Sequence, residues 1–191
     1  PPRGLEGKMG NIGNTQGQVM DDRWYAFEVA WGWCAVRRSA RGLIATALPS
    51  EDRRSAIERV AGDGVEERND AVLTRAASLL TEYFAGRPVS FDLPLDLRDR
   101  GPFGVRVLEA CGRIPWGETW SYGELAAAAG SPRGARAAGQ ALGRNPLPIV
   151  VPCHRVIGAG GSLVGFGAGL EMKARLLRLE GIRVAGLERG R

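Results

Sequence analysis

Residues 121–143, SYGELAAAAGSPRGARAAGQALG, decide how this chain is read. Ser121 and Glu124 stand at capping-box spacing, where the serine accepts from a backbone N–H inside the helix and the glutamate reaches back to the cap. Gly130 is a natural stop, because helices commonly end on a left-handed residue that glycine adopts without strain. Ser131 then reads as the cap of a second helix, with Pro132 in its first position and Gly143 at its end. Two short helices around a tight Gly-Ser turn make a helix-turn-helix. The motif alone is weak, because many small helical proteins contain such a hairpin. The second helix carries Ala135, Ala137, Ala138, Gly139 and Ala141, so it has almost nothing with which to read base edges in a major groove. Small residues suit a helix packed tightly on a neighbour. With Arg133, Arg136 and Arg144 nearby they equally suit a helix lying in a minor groove against phosphates.

Downstream lies IVVPCHRVIG (149–158), with the single histidine of the chain, His154, directly after Cys153. A cysteine attacks as thiolate, and a histidine within reach, directly or through one water, can take its proton if a third group fixes the ring. A bare Cys-His pair is more often a buried cysteine beside a histidine bonded to backbone. The pair alone is therefore a candidate and no more. IVVP reads as extended, GAGGS as the turn of a hairpin, and GLEMKARLLRLEG as a last helix.

Upstream, VRVLEACGRIP reads as a helix ending at Pro115, and LRDRGPFG as a linker. Before it the periodicity changes. WYAFEVAWGWCAVRRS and GLIATALP are strand-like, SEDRRSAIERV and NDAVLTRAASLLTEYFAG helical with Asn69 or Asp70 as cap, and VSFDLPLDL alternates like another strand. The boundaries read as a leader or expression remnant at 1–20, an N-terminal α/β domain at 21–98, and a C-terminal helix-turn-helix domain at 99–191.

The composition bounds the function. The chain has 191 residues, 44% of them hydrophobic, long enough for a real core. No apolar run reaches the roughly 18–20 residues that span a bilayer, and no apolar core marks a signal peptide. An intracellular, cytoplasmic protein is expected. Three scattered cysteines and one histidine suit neither a disulfide framework nor a zinc site. The net charge of +5 is uneven: 12 Lys/Arg against 6 Asp/Glu from Arg106 onward, 14 against 15 before it. The C-terminal half alone is fit for a polyanion.

The segment IPWGETWSYGELAAAAGSPRGARAAGQALGRNPLPIVVPCHRVI, with GFGAGLEMKARLLRLEG after it, closely resembles the O6-alkylguanine-DNA alkyltransferases. The likeness is strong from Ile114 and looser back to about Trp24. It implies an α+β fold: a small N-terminal mixed α/β domain of the RNase H-like kind, then a C-terminal winged helix-turn-helix-like domain that binds DNA and carries the active site. The implied activity is DNA repair in a single turnover without cofactor. The protein would bind double-stranded DNA through the minor groove as a monomer. It would transfer the alkyl group of O6-alkylguanine, and of O4-alkylthymine, irreversibly to its own cysteine.

The resemblance also implies roles. Cys153 would accept the alkyl group, His154 act as base through a water, Glu180 orient His154, and Asn145 support the turn that presents the cysteine. Tyr122 would rotate a phosphate and contact the guanine. Arg136 would fill the gap left by the flipped base, on a helix whose Ala135, Ala137 and Gly139 approach the DNA. Pro148, Phe166, the carbonyl of Val156 and the Gly167 amide would form the pocket. The chain departs from the family in lacking the N-terminal zinc ligands some members carry and in having Leu108 where an aromatic is common. Cys34 and Cys111 have no family role and read as buried small hydrophobes. A lesion-binding protein that flags damage without transfer, a helix-turn-helix regulator and a cysteine hydrolase are the alternatives. The first is opposed by Cys153, the second by the featureless second helix, the third by the lack of a readable oxyanion motif.

Overall fold

The computed structural model describes residues 21–183, so the leader expected at 1–20 lies outside the described residues. The aromatic and branched stretch after it forms three antiparallel strands, β1 (Arg23–Val29), β2 (Gly32–Ser39) and β3 (Gly42–Ser50). A short β4 (Val65–Glu66) adds in parallel to β1, giving the order β3-β2-β1-β4. Side chains alternate across the sheet. Ala26, Ala35 and Ala47 meet α1 (Arg53–Glu58) through Ala56 on one face, and Phe27, Cys34 and Val36 join α2 (Ala71–Phe84) in the main core on the other. Asp70 is the cap of α2, its carboxylate accepting from Val72 and Leu73 N–H at 3.0 Å.

The strand expected in VSFDLPLDL does not form. Its only ladder contact is an isolated bridge at Leu95 to Leu43, where Leu43 N–H donates to Pro94 O and Asp96 N–H to Leu43 O, both at 2.8 Å. Pro88 and Pro94 have no N–H to give to a ladder, which confines the segment to an extended strap. Gly42 lets it approach: a Cβ there would stand 2.4 Å from Pro94 O. The expected linker is also shorter than read. The helix α3 (Gly101–Gly112) begins inside it, with Pro102 in its first turn, where a missing N–H costs nothing.

The capping box forms as expected. Ser121 Oγ accepts from Glu124 N–H, Glu124 reaches back to Ser121 N–H, and α4 (Tyr122–Ala128) follows. Ser131 does not cap the next helix. Residues 131–134 make a turn, with Gly134 N–H donating to Ser131 O at 2.8 Å and proline in the second position that such turns favour. The helix α5 (Ala135–Leu142) starts three residues later than Pro132, capped by Gly134 without a side chain. No hairpin forms around GAGGS. Instead β6 (Val156–Ile157) pairs in parallel with β5 (Trp120–Ser121), and 158–169 is a loop ahead of α6 (Leu170–Leu179). One hydrophobic cluster runs from Phe27 and Leu80 through Leu108 to Leu125 and Leu176, so the two halves share a core. Among the described residues no helix is long and apolar enough to cross a membrane.

Candidate active site

The sequence after α5 builds a knot of turns, and IVVP is part of it rather than extended. Asn145 ties it: its Nδ2 donates to Val151 O at 2.9 Å and its Oδ1 accepts from Leu147 N–H at 3.0 Å. Val151 N–H closes back on Leu147 O at 2.8 Å. Ile149 sits at φ 74°, a left-handed conformation rare for a branched residue and held here by burial and the surrounding bonds. Pro148 and Pro152 bracket the turn and give no N–H to any strand partner. The N-terminal unit holds it too. Thr46 of β3 donates its N–H to Pro146 O at 2.9 Å and its hydroxyl to Pro148 O at 2.8 Å.

Pro152 (φ −79°, ψ 63°) is the centre of an inverse γ-turn, with Cys153 N–H on Val151 O at 2.8 Å. Cys153–Arg155 follows as one 3-10 turn, so neighbouring side chains do not alternate as in a strand. Cys153 is half-buried in a cleft, and His154 is fully buried behind it. His154 Nε2 lies 2.6 Å from Glu180 Oε1. Arg155 grips the same carboxylate through Nε at 2.8 Å and Nη2 at 3.1 Å, and donates Nη1 to Ile114 O at 2.6 Å. The hydroxyl of Tyr83, on α2, donates to Glu180 Oε1 at 2.7 Å and lies 3.2 Å from His154 Nε2.

These contacts set the charges. Burial works against an ionised Glu180, but the donors from His154 and Arg155 outweigh it and hold the carboxyl down at about 2. A carboxylate only accepts, so Nε2 carries the ring proton by the logic of the network and Nδ1 is the basic nitrogen of the neutral ring. Nδ1 is buried and has no protein partner among the described residues. Burial lowers the His154 pKa, with Glu180 pulling the other way, so the ring is neutral near neutral pH. Burial also raises the Cys153 thiol, opposed by Asn145 and by the charge of Lys173. Cys153 therefore rests as a thiol beside a neutral base. Lys173 is itself fully buried, donates Nζ to Val156 O at 2.6 Å and Val164 O at 2.8 Å, and is lowered by burial to about 8.

The cleft measures about 830 Å³, within the range of small-molecule sites, and brings together Cys153, Tyr122, Asn145, Pro148, Phe166 and Gly167. Gly139 faces Tyr122, whose ring carbon would stand 3.4 Å from a Cβ there, an ordinary contact. A small residue is what that position needs. The Tyr122 hydroxyl makes long contacts to the carbonyls of Gly165 at 3.4 Å and Val164 at 3.5 Å. Val156 is not on the cleft wall: it is fully buried and its carbonyl takes the Lys173 amine. Ala135 and Ala137 lie on α5 outside the cleft, flanking Arg136, which is exposed and has no intramolecular partner among the described residues.

Sequence reasoning missed Tyr83, Lys173, Arg155 and Thr46. A lysine amid LEMKARLL reads as a solvated helix face, and nothing in the run SLLTEYF distinguishes a tyrosine that meets a carboxylate from one that fills a core. Arg155 stood in the PCHR motif, but adjacency does not reveal a partner 25 residues away.

Comparison with known proteins accounts for both halves. Residues 23–97 match the family model described as the ribonuclease-like domain of 6-O-methylguanine DNA methyltransferase, and residues 102–182 the model of its DNA-binding domain. The chain is 46% identical over 142 residues to a methylated-DNA–protein-cysteine methyltransferase of Mycobacterium leprae, covering 74% of this chain and 83% of that protein. A protein of the same name from Mycolicibacterium paratuberculosis is 53% identical over 112 residues, 59% of this chain and 67% of the relative. Among solved structures, Mycobacterium tuberculosis O6-methylguanine methyltransferase is similar at 36% identity and TM-score 0.69, covering 87% of this chain and 97% of that one. The M. tuberculosis OGT structure in complex with DNA is similar at 37% identity and TM-score 0.69, covering 83% and 92%.

Proposed function

The chain belongs to the 6-O-methylguanine DNA methyltransferase family, and from that membership we propose that it repairs DNA by taking the alkyl group of O6-alkylguanine onto Cys153. The observation that carries this reading is the half-buried Cys153 on the wall of a cleft, beside a neutral histidine held by an ionised glutamate.

The reaction is a displacement at carbon. The Cys153 proton passes through a water to His154 Nδ1, the sulfur pair forms the S–C bond, and the C–O6 bond breaks. Its electrons return to the guanine, which takes up a proton from the Tyr122 hydroxyl on the cleft wall, and the proton held on His154 then replaces the one Tyr122 gave. In the net balance the thiol proton ends on the guanine and the alkyl group on sulfur, with His154 and Tyr122 back in their starting states. Nothing is oxidised, and the thioether has no route back to the thiol, so each molecule reacts once.

The target atom is hidden in the base stack, so the nucleotide must be turned out into the cleft, at a cost of about a few kcal/mol. Arg136 fills the gap; its exposure, with no intramolecular partner among the described residues, supports this reading. The small face of α5 suits a minor-groove approach in which phosphates are contacted and bases are not read. The protein acts as a monomer, and O4-alkylthymine is a second substrate of the same chemistry.

Incubation with a duplex bearing O6-methylguanine tests the reading. The peptide holding Cys153 must gain the mass of one methyl group, and Cys153→Ala must abolish the gain. Lesion binding with no mass gain in the unchanged protein would mean that it only marks damage.

A further inference from the structure

Glu180 is held from two sides of the molecule, and only one of them is the segment that carries Cys153. Its Oε1 accepts from His154 Nε2 at 2.6 Å, from the Tyr83 hydroxyl at 2.7 Å and from Arg155 Nη2 at 3.1 Å. Tyr83 belongs to α2 of the N-terminal unit and is 0% exposed. Its ring stands on edge to Phe84 and Trp116, with centroids 5.1 and 5.3 Å away, and on edge to the His154 ring at 6.2 Å. Burial, and after it the Glu180 charge, push the phenol well above its ordinary value, so it stays a donor.

We propose that Tyr83 is a positioning residue for the reaction at Cys153: through its hydroxyl the N-terminal unit fixes Glu180 Oε1, and with it the setting and basicity of the His154 ring. The proposal rests on the reading of His154 as the base. A carboxylate holds an imidazolium less tightly when other donors already take up its charge, and in a dry site that effect is large. The charged or titrating groups around the ring are Glu180 and Lys173 from α6 and its end, Arg155 and Cys153 from the 3-10 turn, and Tyr83 from α2. Tyr83 alone among them comes from the N-terminal half.

Tyr83→Phe keeps the ring and its edge contacts and removes one oxygen. Glu180 then holds the imidazolium more tightly, and His154 takes up its proton at a pH higher by roughly half a unit to one unit. His154 is the single histidine, so in untagged protein its ring-nitrogen resonances report the titration without overlap. The first-order rate of transfer at saturating duplex should fall off on the acid side at a correspondingly higher pH, while the Kd for the duplex stays unchanged. A tyrosine that merely fills the core predicts a lower melting temperature and nothing else. An unmoved His154 midpoint, or a variant-to-wild-type rate ratio equal at about pH 5.5 and about pH 8, overturns the proposal. The His154 titration is measured without DNA. A wild-type protein that fails to transfer therefore counts against the repair activity, while the Tyr83 coupling is judged separately.

Discussion

Glu180 accepts from three side chains and is buried, 4% exposed, so its ionisation is bound up with folding. Its folded pKa of about 2 lies below the ordinary carboxylate value, so its contribution is present above that value and is lost as pH falls toward 2. His154 adds in the same direction. Burial lowers its pKa, so the unfolded ring binds a proton first, and stability declines as pH drops below about 6.5. The urea midpoint should therefore begin to fall below about pH 6.5 and fall most steeply between about pH 4.5 and 2. Glu180→Gln should cost about 3–5 kcal/mol at neutral pH, because Arg155 is left buried without its counter-charge, and should flatten the lower part of that decline. An acid profile identical to the wild type would show that Glu180 is not the group responsible.

At the scale of elements the deciding piece is the turn from Asn145 to Val151. Its backbone is strained at Ile149 and anchored by the Asn145 amide and by Thr46. Asn145→Ala removes two bonds, leaving Leu147 N–H without its partner and Val151 O with Cys153 N–H alone. The expected loss is about 1–3 kcal/mol in a denaturant titration, with slower transfer because Cys153 hangs from Val151 through a single γ-turn. A variant that keeps its transfer rate while losing stability would separate the turn from the chemistry.

The same element shows what sequence can and cannot tell. Capping signals that act within four residues, such as Ser121 with Glu124 and Asp70 ahead of α2, were legible. Ser131 was misread because the same residue types start a helix or a proline turn, and only the packing of α5 chooses. VSFDLPLDL has the exposure rhythm of a strand, with Val89, Phe91 and Leu93 turned inward between exposed neighbours, but pairing is a property of two segments, and Pro94 within it and Pro88 just before it refuse it. The resemblance is what points to Cys153, His154, Glu180, Asn145 and Tyr122 together, and in the structure Cys153, Asn145 and Tyr122 line one cleft while His154 meets Glu180 behind it. Tyr83 and Lys173 were not, since their partners are 97 and 17 residues away.

Across the whole molecule the N-terminal unit grips the reactive half at three points: Thr46 on the turn, Tyr83 on Glu180, and Trp31, over whose ring the Arg175 guanidinium of α6 lies 3.7 Å from the centroid. Thr46, Leu48 and Arg59 also line the cleft, so the two halves build one site. The excess of basic over acidic residues from Arg106 onward should make the logarithm of duplex affinity fall linearly with the logarithm of salt concentration, with a slope of about −0.9 per phosphate neutralised. Arg136→Ala should weaken binding and slow transfer together. An affinity indifferent to salt would contradict binding through the phosphates.

The burial of the lone histidine has one more consequence. The surface carries no imidazole, so between about pH 5.5 and 7.5 the outer charge pattern is nearly constant. Long-range attraction to a polyanion is then blind to acidity across that range, while proton uptake inside the cleft is not. Docking and chemistry answer to different variables: ionic strength governs arrival, and pH governs what happens after it.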